Sequence, residues 1–402
     1  MTIEIRSPSD DQLEAAMRAG TASFGDQPSE DDIARHRKTM PLERFLAAYD
    51  NGRPVGTAAA FPFELTIPGG RLRAGGVTWV GVLPSHRRRG ILTKFMQYQF
   101  EDLHERGEPL AILWASESAI YGRFGYGIAA PSNSIDAERV RFRFRDDPGP
   151  TGAVRFLDAD EAAEVLPPLY DRLRVEIPGM FARRPEWWTH LRLADPEAWR
   201  RGAGPKFFAV YEHDGQAEGY AIYRVKDEWQ HGIPQGQVRI HEAFGTSPSA
   251  TREVWRFLFG IDLIARVQAQ IFDPGSPLPL MVTDMRSLHL TVGDGLWLRF
   301  VDVEAALRAR SYAADEPVVL ELRDDLCPWN AGRYRVGRSV ERTEDAPDLE
   351  LGVADLASAY LGAFDFHTLA RAKRVVERKA GALARASGLF RTERPPFCPE
   401  VF

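Results

Sequence analysis

The sequence predicts a multidomain α/β protein in which one unit of hairpin, strand and helix occurs twice, followed by a smaller α+β domain. Three observations carry this reading. The chain has 402 residues, long for a single domain. FLAAYDNGRPVGTAAA, from Phe45, lines up with FFAVYEHDGQAEGYAI, from Phe207. Strand-like and helix-like apolar periods alternate through both halves, as layered α/β folds require.

Each element has its own signal. The two aligned stretches read as strand, turn, strand, reversing at DNG and HDG. In the first copy a strand over 77–82 follows, then a helix with apolar Leu92, Phe95, Met96, Phe100 and Leu103. In the second copy VRIHEAFGTSPSATREVWRFLF takes that place, with Val254, Phe257 and Leu258 at helical spacing. It lacks the HRRRG of the first. RDDPGPTGA (145–153) is a linker rich in Pro, Gly and Asp, and a second boundary falls near TVGDGLWLRFVD (291–302). Beyond it come VVLELRDD and the helical DLASAYLGAF and HTLARAKRVVERKAGALAR. The expected domains are therefore 1–150, 151–290 and 291–402, and the tail RTERPPFCPEVF is too proline-rich for another helix.

Composition narrows the function classes. With 44% hydrophobic and 27% charged residues, the chain can bury sizeable cores. A net charge of −6 argues against nucleic acid as the general partner. Only Cys327 and Cys398 occur, without paired spacing, so a reduced compartment and neither disulfide framework nor zinc site are expected. The polar, acidic N-terminus is unlike a secretory leader, and no window approaches 18 consecutive apolar residues. A cytoplasmic location, no membrane span and no metal follow as expectations.

HRRRGIL (86–92) stands out against that acidic background. Gly90 permits dihedrals closed to other residues. The helix from about Ile91 would offer unsatisfied N–H groups and a positive dipole end to an anion. Arg87 and Arg88 add charge and forked donors. Cations at a helix N-terminus oppose the dipole, so three arginines there cost stability unless an anion compensates. A pyrophosphate fits. Further on, IYGRFGYG holds two candidate acids, Tyr121 and Tyr126, that the residues alone leave indistinguishable. A phenol, still protonated at neutral pH, can give its proton to a departing thiolate.

Arg87-x-x-Gly90, after a strand holding Val80 and Val82, resembles the coenzyme A-binding motif of the GCN5-related N-acetyltransferases. VGVLPSHRRRGIL with ASESAIYGRFGYG, YAIYRV, DGLWLR and the terminal phenylalanine is similar to the Eis (enhanced intracellular survival) family over essentially the whole chain. Leu92 departs from the superfamily, which usually has Gly or Ala there, and Trp114 stands where family members often carry histidine, so no imidazole base acts at that position.

The resemblance implies tandem acetyltransferase domains and a sterol carrier protein-like third domain. It implies acetyl-CoA as co-substrate, with Val80 and Val82 meeting the pantetheine arm, Arg87, Arg88, Gly90 and Ile91 around the pyrophosphate, and Ser116 near the arm. It names Tyr121 as the acid and the α-carboxylate of Phe402 as the base. Phe24, Asp26, Trp79 and Glu400 would face the acceptor, Trp79 from the strand face opposite Val80. The implied acceptor is a cationic amine such as an aminoglycoside, and the implied assembly a homohexamer. A protein-lysine or polyamine acetyltransferase is the nearest alternative. A CoA- or lipid-binding sensor without turnover is the alternative of another class.

Overall fold

A computed structural model describes residues 3–402, which divide into two compact units. One holds the chain through Ala130, with Asp294–Pro396 and Glu400–Phe402; the other holds Pro131–Gly293 with Phe397–Pro399.

The first unit opens with β1 (Glu4–Arg6), α1 (Asp10–Ala22) and α2 (Glu30–Thr39). Ser29 caps α2 in a reciprocal box with Asp32, satisfying orphan donors at that end. β2 (Phe45–Asp50), β3 (Arg53–Ile67) and β4 (Gly70–Val82) then form an antiparallel meander. Asn51 and Gly52, both at positive φ, make the β2–β3 reversal that the DNG sequence predicts. α3 (Ile91–Glu105) crosses over to β5 (Leu110–Trp114), which lies parallel to β4. α4 (Ser118–Tyr121) and β6 (Gly127–Glu138) follow. Ile91, Phe95, Met96, Phe100 and Leu103 of α3 are buried against the sheet, whereas Leu92 is only half-buried.

The second unit repeats that order. β7 (Ala153–Leu157) and α5 (Ala159–Arg174) precede the short α6 (Pro185–Trp187) and the hairpin β8 (Lys206–His213) and β9 (Gln216–Lys226). A small hairpin, β10 (Trp229–Gln230) with β11 (Ile233–Pro234), is inserted before β12 (Gly236–Gly245). α7 (Pro248–Gly260) leads to β13 (Ile264–Phe272), parallel to β12, and α8 (Leu278–Met281) follows. Val254 and Leu258 of α7 are buried and Phe257 packs at the margin, as the helical spacing predicts.

The chain returns to the first unit through β14 (Thr291–Phe300), whose Leu296–Phe300 stretch pairs antiparallel with β5. A smaller α+β segment then assembles α9 (Val303–Ala309), β15 (Val318–Arg323), β16 (Gly332–Val336), β17 (Val340–Arg342), β18 (Leu349–Gly352), α10 (Val353–Tyr360), α11 (Phe366–Arg371), β19 (Val375–Glu377) and α12 (Ala382–Leu389). Its sheet runs β17-β16-β15-β18-β19. After α12 no regular element forms, as the prolines of the tail predict. Among the described residues no helix is long and apolar enough to cross a membrane.

Candidate active site

The site begins with two glycines. In β4, Gly75 faces α3, where an added Cβ would stand 2.4 Å from Leu103. Gly76 faces the opposite side, where a Cβ would stand 2.1 Å from the Phe63 ring and 3.2 Å from that of Phe402. β4 and β5 share only three paired positions, the last at Gly76↔Ile112. Beyond it the strands part, and the backbone of 77–82 has no partner on that side. Such a split leaves main-chain donors and acceptors open to a ligand.

The same stretch is bulged. Thr57 pairs with Gly81 and Ala59 with Thr78, so β4 carries one extra residue. Trp79 absorbs it in the left-handed region at φ +54°, and its carbonyl accepts a 2.7 Å hydrogen bond from the Thr57 hydroxyl. A bulky residue at positive φ is uncommon and marks strain held by its surroundings. Despite the bulge, Trp79 and Val80 keep to opposite sides as expected. The Trp79 ring packs with His36 and Phe45 and lies beside Gly20 of α1, whereas Val80 packs against the core beneath α3. Both residues line one cavity.

That cavity is about 340 Å³. Its walls come from the C-terminal half of β4, from Trp114, Ala115 and Ser116 after the split, from Thr21 and Phe24 at the end of α1, and from Tyr121, Val401 and Phe402. It thus joins Val80, Ser116, Tyr121, Phe24, Trp79 and Phe402, six of the residues singled out from sequence. The Phe402 ring packs edge-on against Phe63 at 5.0 Å between centroids. Val401, beside it in the wall, is 60% exposed.

Two acidic candidates fall outside the walls. Asp26 is exposed on the loop after α1, where its carboxylate accepts from the Gln27 amide; it caps no helix. Glu400 is corrected: its side chain is wholly buried and does not line the cavity, because the two residues after it form the wall. The tyrosines also differ. Tyr121 lines the cavity, and burial, helped by the nearby Glu117 carboxylate, pushes its phenol up to about 12. Tyr126 is fully buried away from it, with a hydroxyl that finds no partner among the described residues.

Below the parted strands lies the arginine loop. Arg88 (φ +63°) and Gly90 (φ +77°) both take left-handed conformations, and nothing lies within 4 Å of where a Gly90 Cβ would point. α3 therefore starts on an open glycine, without a capping side chain and without an acid in its first turn. The arginines have separate fates. Arg89 turns back to Asp50 at 3.7 Å, and Arg87 reaches the Ser23 carbonyl at 3.5 Å. Arg88 is exposed, with no partner among the described residues. His86 is fixed between the Ser85 hydroxyl (2.9 Å) and Asp50 (3.1 Å). Asp50, Ser85, Thr57 and Thr21 were missed from sequence, since their importance depends on contacts that local spacing does not encode. Val82 is half-buried above the loop and Ile91 buries its side chain, so Ile91 can offer a ligand only its amide.

In the second copy the equivalent features are closed. β12 keeps a bulge between Ile240 and Glu242, but Glu242 is buried there, ion-paired with Arg183 and hydrogen-bonded by Tyr220 at 2.7 Å. The N-terminus of α7 is capped by the Ser247 hydroxyl, and Pro248 removes one donor. Equilibrium titration should therefore give one acetyl-CoA site per chain. Gly90→Glu should abolish it, since a strained φ and a carboxylate would replace the open amides. Two equivalent sites, or unchanged binding in that variant, would contradict this.

A strand pair splayed over a helix N-terminus, once intact and once closed, defines a tandem acetyltransferase. Residues 4–129 match the family model described as an acetyltransferase (GNAT) domain, and 179–300 match a second of that description. Residues 303–399 match the sterol carrier protein domain. The chain is 33% identical to the N-acetyltransferase Eis of Mycobacterium tuberculosis, over 98% of both chains. It is 40% identical to an uncharacterized N-acetyltransferase of Streptomyces coelicolor over the whole of both. The crystal structure of Eis1 from Mycobacterium abscessus matches at a TM-score of 0.87 and 36% identity, over 99% of this chain and 100% of that one. The chain belongs to the Eis family of GCN5-related N-acetyltransferases. It is an N-acetyltransferase with two GNAT domains and a sterol carrier protein-like domain, and GNAT enzymes take their acetyl group from acetyl-CoA.

Proposed function

We propose that the first domain transfers acetyl from acetyl-CoA directly to an amine of a cationic small molecule. The observation that carries this is the single cavity in which the parted end of β4, Tyr121 and the chain end meet. Val80 and Val82 present the main chain to the pantetheine arm, and Ser116 lies beside it. Arg87, Arg88 and the amides from Gly90 to Ile91 hold the pyrophosphate. Tyr121, protonated at neutral pH, gives its proton to sulfur as the amine nitrogen bonds the thioester carbon and the C–S bond breaks. The Phe402 carboxylate accepts the amine proton, directly or through water, and attracts the protonated acceptor. Phe24 and Trp79 wall the acceptor, with Asp26 near the mouth.

Aminoglycosides are the acceptor class implied by the family resemblance; polyamines and lysine side chains share the same nitrogen chemistry. Domain limits of 1–150, 151–290 and 291–402, a homohexamer and a cytoplasmic location complete the proposal. Free-thiol release measured with aminoglycosides, polyamines and lysine peptides tests the reading. Amine-dependent release is expected. Acetyl-CoA binding without release for any amine would favour the sensor instead.

A further inference from the structure

We infer that the sterol carrier protein-like segment belongs to the catalytic apparatus, with its Asp324 holding Arg299 beneath the Tyr121 loop so that Arg299 is a positioning residue for the reaction. The inference rests on the proposed role of Tyr121. It starts from a costly feature. Arg299, on β14, is wholly buried, and its ion pair with Asp324 (2.7 Å) is equally buried. Its Nε and Nη1 find no acceptor among the described residues. Burying a guanidinium with a single carboxylate partner repays little of its desolvation, so stability alone is a poor reason for it.

What the ion pair holds is specific. Asp324 is fixed on both oxygens: Oδ1 accepts from the Leu326 and Cys327 amides (3.2 and 3.1 Å), and Oδ2 from Asn330 Nδ2 (3.0 Å). The guanidinium carbon stands 5.1 Å from the centre of the Phe100 ring. Directly above lies Gly125 at φ +83°, so close that a Cβ would stand 2.7 Å from Arg299 Nε. The next residue, Tyr126, feels the Arg299 charge, which pulls its phenol down against the larger upward push of burial. Its ring then packs edge-on against Tyr121 at 5.7 Å. A second support comes from α10, since a Cβ on Gly127 would stand 2.0 Å from the Ala354 carbonyl oxygen. Two of the three glycines of YGRFGYG, Gly125 and Gly127, thus serve close approach to residues far along the chain, and Asp324 and Ala354 both come from the sterol carrier-like segment.

A positioning role separates from a structural one by removing the pair together. Arg299→Met or Asp324→Leu alone leaves a buried charge unpaired and should lower the melting temperature. The double variant replaces both with apolar groups and should recover it. If Arg299 positions Tyr121, kcat in the recovered double variant stays about tenfold or more below wild type, because small displacements of a reacting group are costly. Its acetyl-CoA affinity should stay within about twofold of wild type, the Gly90 loop being untouched. Recovery of both melting temperature and kcat overturns the inference. Should the double variant not fold, Arg299→Lys decides: it keeps the charge but loses the planar fork. A lowered kcat with unchanged acetyl-CoA affinity is expected, and wild-type kcat overturns the brace. Full activity of Tyr121→Phe would remove the acid assignment. Wild-type kcat in the Arg299 variants beside an inactive Tyr121→Phe would remove only the brace.

Discussion

Tyr121→Phe is expected to lower kcat by about 10²–10⁴-fold, the usual cost of losing a general acid, while acetyl-CoA affinity stays near wild type. The hydroxyl is the only atom removed, and the ring keeps its packing in the core beneath α3. Burial and Glu117 hold the phenol near 12, so it remains protonated through the working range and is ready to donate. Raising the pH to 9 should not mimic the variant; any rise in rate there would come from deprotonating the acceptor amine. Tyr126→Phe should be mild, because its hydroxyl has no partner to lose and does not reach the cavity. Stopped assays of thiol release for both variants, with titrations of acetyl-CoA, check this. If the two variants exchange behaviours, the acid assignment is wrong while the reaction class stands.

The parts of the site that could be read from sequence are those whose physics is local. A helix start after Gly90 and a turn at Asn51–Gly52 follow from a few consecutive residues, and the structure has both. The repeated α/β unit was visible because each copy keeps its own turn and its own helical period. What stayed hidden depends on partners distant in sequence. Gly75 and Gly76 are adjacent, yet their reasons lie in Leu103 on one side and Phe63 and Phe402 on the other. Asp50 fixes His86 from 36 positions away. The bulge at Trp79 stayed hidden because it shows only in the register of two strands. Glu400, which the resemblance has face the acceptor, is instead wholly buried and lines no part of the cavity, a placement that depends on how the tail packs and not on local sequence.

Extending the chain beyond Phe402 by a few residues should leave a folded, acetyl-CoA-binding and nearly inactive protein. The argument is geometric and electrostatic together. No charged side chain stands among the residues that wall the cavity, so in the proposed mechanism the α-carboxylate of Phe402 is what would supply negative charge there. An extension converts that carboxylate to a neutral amide, removing at once the attraction for a protonated amine and the acceptor for its proton. Loss of a general base alone costs about 10²–10⁴-fold, and the added residues would also crowd a space of about 340 Å³. An equal extension at the N-terminus is the control and should be harmless. Gly76→Ala approaches the same point from beneath: its Cβ would strike the Phe63 ring, which packs edge-on against Phe402, and the tail would shift without any change in its own covalent structure. Both variants should raise KM for the amine and lower kcat, with acetyl-CoA affinity nearly unchanged because Gly90 and the arginine loop are untouched. Full activity in a C-terminally extended protein, with the extension shown intact by mass spectrometry, would remove the terminal carboxylate from the mechanism. Inactivity in the extended protein with full activity in Gly76→Ala would instead mean that the carboxylate matters and the seat of the Phe402 ring does not.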